Sequence, residues 1–108
     1  MKKLTNMKDV ILYALDMKII NDTEKKNAKD LLARLKDIKL KCFREKEKYN
    51  FYDGLLLAID VLKDRIKTYE SLTNTNFRLD TFNRYVKENN LNNAEIKTLS
   101  DRVFNLNY

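Results

Sequence analysis

The chain contains no proline and a single glycine, Gly54. Strands of a β-rich fold are joined by turns every ten residues or so, and those turns draw on Gly and Pro for conformations that other residues resist. A chain without them is directed towards helices. Its breaks are short polar clusters instead: Asn21-Asp22-Thr23, Thr73-Asn74-Thr75-Asn76 and the asparagine-rich stretch Asn89 to Asn93. At 108 residues it is long enough for one core. The expectation is an all-α fold of about five helices in a single domain, residues 1–108.

The segment Phe51 to Leu72 organises the rest. On a helical wheel Phe51, Leu55, Ala58, Ile59, Leu62, Ile66 and Tyr69 form one apolar stripe. Leu57, Val61 and Leu72 form a second, with Thr68 between them, and Asp60, Asp64 and Lys67 are left on a narrow polar strip. One neighbour needs one stripe, so this helix is expected to pack on two partners. Its longest unbroken apolar run, Leu55 to Ile59, is far short of the roughly 20 residues of a membrane span.

Before it, a helix from about Met7 to Ile20 is expected, with Asn6 as its cap and Leu4, Met7, Val10, Ile11, Ala14 and Met17 as its core face. A second, from Glu24 to about Tyr49, is capped by Asp22 or Thr23. It carries Ala28, Leu31, Leu35, Ile38, Cys42 and Tyr49 at alternating steps of three and four. That spacing suits a long antiparallel hairpin between the second and third helices. The turn falls at Asn50, which then caps the third helix with Asp53 behind it, or later, at Gly54. Beyond Leu72 a short C-terminal helix pair follows, about Asp80 to Asn89 and Ala94 to Leu106. Asp80 and Asn93 are the expected caps, and Ile96, Leu99, Val103 and Leu106 the buried face of the last helix.

Chemistry-bearing groups are few. There is no histidine, the commonest general base and metal ligand. The one cysteine, Cys42, lies on the core stripe and reads as a small hydrophobe. Asp60 and Asp64 pair at helical spacing, but Lys63 and Lys67 beside them make a solvated charged strip. No glycine-rich loop is present to cradle a phosphate. The expectation is a non-enzymatic protein with no cofactor, no metal and no small-molecule substrate. Asp9 and Asp16 interrupt the apolar N-terminal stretch, which therefore reads as a helix of the mature protein and not a signal peptide. Its compartment is expected to be the reducing cytoplasm, without membrane attachment.

Two binding surfaces compete. The C-terminal pair has the spacing of a helix-turn-helix, whose second helix enters the major groove. There Asn92, Asn93, Lys97 and Thr98 would face base edges, while Arg84, Lys87 and Arg102 would reach phosphates. Against this, Asn90 stands where such turns carry glycine, and Glu95 and Asp101 would face a polyanion. A basic run from Lys36 through Lys39, Lys41, Arg44, Lys46 and Lys48 carries much of the net charge of +6, but interleaved Asp37, Glu45 and Glu47 make a solvated face the plainer reading. The other surface is apolar. Tyr52, Leu56, Leu57, Leu12 and Leu40 exceed what so small a domain can bury, and exposed apolar patches are where protein partners dock. Most of the remaining aromatics, with Phe43, Tyr49, Phe51 and Phe77 gathered about the hairpin turn, are expected in the core.

In size, basic charge and lack of catalytic groups the chain looks like the small inhibitors and adaptors encoded by phages and other mobile elements, anti-CRISPR proteins among them. The resemblance is one of type. It implies a protein that occupies a surface on a larger protein or on another copy of itself, with nucleic-acid binding by the C-terminal pair as the alternative.

Overall fold

The computed structural model describes residues 7–74 and 78–106, the side chains of 46–48, 105 and 106 excepted. Five α-helices follow one another: α1 (Met7–Asp16), α2 (Asp22–Cys42), α3 (Tyr52–Leu72), α4 (Leu79–Glu88) and α5 (Asn93–Leu106). A 3-10 stretch, Phe43–Lys48, joins α2 to the turn before α3. The architecture is the expected all-α one, with α2 and α3 packed as an antiparallel hairpin. Expectations that rest on Leu4, Asn6, Phe77 and the side chains of Lys46, Lys48 and Leu106 lie outside the described residues.

The register of the hairpin is set by polar contacts along its seam. The Tyr69 hydroxyl donates to the Asp22 carboxylate at 3.0 Å, and Lys29 pairs with Glu70 at 2.9 Å. Between these contacts and the turn, Ala28, Leu31, Leu35 and Cys42 of α2 are buried, as are Leu55, Ile59, Leu62 and Ile66 of α3. Helix α1 packs on a different face of α3. The two helices meet at Gly54, where Ile11 lies 3.7 Å from the place of a Cβ, an ordinary van der Waals contact.

Five boundaries differ from those expected. Helix α1 stops at Asp16, not Ile20. The Arg65 guanidinium takes the carbonyls of Leu15 and Met17 at 2.6 and 2.7 Å, satisfying acceptors that a continuing helix would have used. The chain then runs without helix through residues 17–20 and sinks Ile19 completely into the core. The N-cap of α2 is Asn21, whose Oδ1 accepts from the Glu24 N–H at 2.8 Å; Asp22 is thereby released for tertiary contacts. Helix α2 ends at Cys42 and passes into the 3-10 stretch, within which the backbone kinks at Glu45, where φ is −122° and ψ 31°. Helix α3 begins without a side-chain cap from Asn50, and Gly54 lies within it. At α4 the N-cap is Arg78, and Asp80 sits in the first turn.

The second stripe of α3 is only half covered. Helix α4 starts just after Leu72 and returns along α3 until Tyr85 and Glu88 stand beside Val61 and Arg65. Leu72 is fully buried and Val61 half-buried, but Leu57 is 55% exposed. Ten residues of helix, at about 1.5 Å each, are too short to reach it. Helix α5 buries Leu99 and Val103, stacks Phe104 on Phe82 of α4 with centroids 5.7 Å apart, and is tied to the start of α2 by Arg102.

Candidate functional site

The α4–α5 turn is built for closure. Asn90 has φ 51°, the left-handed conformation expected at that position. Its N–H bonds the Lys87 carbonyl, and the Leu91 N–H reaches back to Val86 at 3.1 Å, the paired bonds of a Schellman ending. Leu91 is buried beneath it, and the Asn89 amide is satisfied by the Tyr85 carbonyl. The N-cap of α5 is Asn92, one residue before the expected Asn93. Its Oδ1 accepts from the Glu95 N–H at 2.8 Å, while the Glu95 carboxylate accepts from the Asn92 N–H at 2.9 Å. This is a reciprocal capping box, and the Asn92 N–H holds the Glu95 carboxyl below its ordinary range.

Four of the seven residues assigned to DNA contact are thus engaged within the molecule, two of them by tertiary or capping bonds and two within their own helices. Asn92 caps α5. Arg102 donates through Nε and Nη2 to the Asp22 carboxylate at 3.0 and 2.7 Å. Of the others, Arg84 pairs with Glu88 at 3.6 Å, and the Thr98 hydroxyl donates to the Ala94 carbonyl of its own helix. Asn93, Lys87 and Lys97 are exposed, with Asp101 on the outer surface of the same helix as Lys97.

The link between α1 and α2 is where the helices are locked together. Besides Arg65 from α3, the buried Tyr85 hydroxyl of α4 donates to the Ile19 carbonyl at 2.9 Å. Burial pushes the Tyr85 phenol well above its ordinary range. Lys18 bonds both Glu95 and the Asn90 carbonyl at 3.2 Å. Asp22 receives Tyr69 and Arg102 together; the Arg102 guanidinium, with the Tyr69 hydroxyl, holds its carboxyl below the ordinary carboxylate value. Sequence spacing gives no sign of this clamp, because its members come from four separate segments.

The apolar candidates are placed otherwise. Leu40 is 75% exposed and Leu12 48%. With Leu57 they lie on the half of the molecule around the α2–α3 turn: Ile11 faces Gly54, and the hairpin register brings Leu40 level with the first turns of α3. Two exposed side chains join them that composition had assigned to the core or left unplaced, Phe43 beside Leu40 and Tyr13 beside Leu12. Tyr52, by contrast, is buried, and Leu56 is half-buried against the core. The signal for Tyr52 was present, since it shares a face with Ile59 and Ile66 at intervals of seven.

Shallow clefts flank this end. One of about 280 Å³ is lined by Lys8, Leu12, Phe51 and Gly54. Another, of about 290 Å³, lies where α4 stops and is lined by Asp60, Val61, Asp64 and Glu88, with Arg65 and Tyr85 at its floor committed to backbone carbonyls. Cys42 is buried. Among the described residues no group of His, Cys, Asp and Glu side chains is placed to hold a metal ion, and no helix is long and apolar enough to cross a membrane. No family model matches the sequence, and neither the curated proteins nor the solved structures contain a match to it.

Proposed function

We propose that this chain is a non-enzymatic binding protein, which acts by laying the apolar end of its helical bundle on a surface of another protein. One observation carries the reading. Leu40, Leu12 and Leu57 are strongly exposed on α2, α1 and α3, with Phe43 and Tyr13 exposed beside them, while the C-terminal helices expose Leu79 and, less fully, Phe104. Large apolar side chains left in water are costly to solvate and mark docking surfaces. An adaptor or inhibitor working in the cytoplasm, of the kind that phages and mobile elements encode, fits a small basic bundle of this build.

A second reading, duplex DNA held by α4 and α5, is favoured by the left-handed turn at Asn90 and the exposure of Asn93 and Lys97. Salt and mutation separate the two. Contacts to phosphates through Arg84, Lys87 and Lys97 would give a slope of about −3 in log K against log salt. For the protein-binding reading, the expected result is weak duplex binding without sequence preference. Capture of a partner from extract of the native host should be lost with Leu57→Lys and unchanged with Lys97→Ala. Sequence-selective duplex binding at physiological salt, lost with Asn93→Ala and Lys97→Ala in a folded protein, overturns the protein-binding reading.

A further inference from the structure

The exposed leucines sit in two different electrostatic settings. On α1 the outer face reads Asp9, Leu12, Tyr13, Asp16, at intervals of three and four, and all four are exposed. On α3 the uncovered Leu57 of the second stripe has Asp53 one turn before it and Asp60 one turn after, all three exposed. Lys8, also exposed, stands one turn before Leu12 and lines the same cleft, so the rim there is mixed, whereas Leu57 is rimmed by carboxylates alone. Leu40 on α2 is instead neighboured by Lys36 one turn before it and Phe43 and Arg44 one turn after. The one acid next to it, Asp37, is already paired with Lys41 at 3.1 Å. Here an apolar pair is rimmed by cations. Leu57 stands on the side of α3 turned away from Leu55, Ile59, Leu62 and Ile66, which are buried towards α2, so each face can be occupied without covering the other.

We propose that the two faces recognise each other on separate molecules: the basic rim and apolar centre at Leu40 and Phe43 of one copy dock on the acidic rim and apolar centre at Leu57 of a second. Each face supplies what the other lacks, since apolar surface meets apolar surface while the charged rims attract and fix orientation. Docking a face on its own like would set lysine against lysine or aspartate against aspartate. Two copies can make both contacts at once about a two-fold axis; where they make only one, the contact is heterologous and continues into rings or open chains. This inference rests on the reading of the exposed leucines as a protein-binding surface and names a second copy of this chain as an occupant.

Sedimentation equilibrium of the full chain over a range of concentrations tests it. The wild-type mass should rise above the monomer's 12.9 kDa with concentration, and high salt should weaken the rise. Leu40→Glu and Leu57→Lys each spoil one face, and each alone should stay monomeric. Mixed in equal amounts they should form a one-to-one complex, because one variant keeps the acidic face and the other the basic face. The exposed charge swaps Lys36→Glu and Asp60→Lys should behave as a second such pair if a leucine variant fails to fold, as judged by circular dichroism. A wild-type protein that is monomeric at every concentration overturns the inference, as does a mixture of folded variants that stays monomeric. A monomer that still captures a host protein through Leu57 would overturn self-docking while leaving the protein-binding reading intact.

Discussion

Asp22 shows how much one side chain decides here. As an N-cap it would satisfy one N–H of α2; with Asn21 in that role, it joins α2, α3 and α5 through Tyr69 and Arg102. The Asp22 carboxyl is depressed in the folded protein, first by the Arg102 hydrogen bond. Its contribution is therefore complete above the unfolded carboxylate range and is lost as pH falls through the lower folded value. The pair is partly exposed, so Arg102→Ala should cost about 1 kcal/mol or less at neutral pH. Urea denaturation of both proteins should show that difference shrinking as the pH drops below the ordinary aspartate range. A difference independent of pH would mean that Arg102 stabilises by packing and not by its charge.

At the scale of elements, the two glycine-like positions have opposite characters. Asn90 takes a left-handed turn without glycine, while Gly54 occupies the first turns of α3 with no positive φ. A Cβ at Gly54 would meet Ile11 at 3.7 Å, an ordinary contact. Glycine costs a helix about 0.5–1 kcal/mol relative to alanine, so Gly54→Ala should stabilise the protein by about that amount in thermal or chemical denaturation. A loss of stability would show that α1 must approach α3 more closely than a methyl group allows. The helix ends teach a related lesson. The cap at Asn92 falls one residue before the expected Asn93 and that at Asn21 one or two before the expected Asp22 or Thr23, since adjacent Asn, Asp and Thr residues are all competent caps and local sequence ranks them weakly. The end of α1 is decided by Arg65, fifty residues away from Leu15 in the chain, so no local pattern could have placed it.

For the molecule as a whole, α3 is the axis. Leu62 is fully buried between its neighbours and Lys67 is exposed. Leu62→Ala should cost about 2–5 kcal/mol, the range for opening a cavity at a packed leucine, and Lys67→Ala less than about 0.5 kcal/mol; comparable losses in denaturation would contradict this orientation of the helix. What the sequence determined by itself was the helical class, the α2–α3 hairpin and the inward faces Ala28 to Cys42 and Leu55 to Tyr69. Those follow from missing turn residues and from apolar periodicity, both local properties of the chain. Only the tertiary structure decided which surplus apolar residues stay in water. Tyr52 is buried while Leu40 and Leu57 are not, because exposure depends on how far a neighbouring helix extends, and α4 ends short of Leu57. Likewise Asn92 and Arg102 carry the right chemistry for DNA, but the fold brings Glu95 and Asp22 within hydrogen-bonding distance of them. Residue type sets what a side chain is able to bind; the partners that the fold places beside it determine which of those bonds it makes.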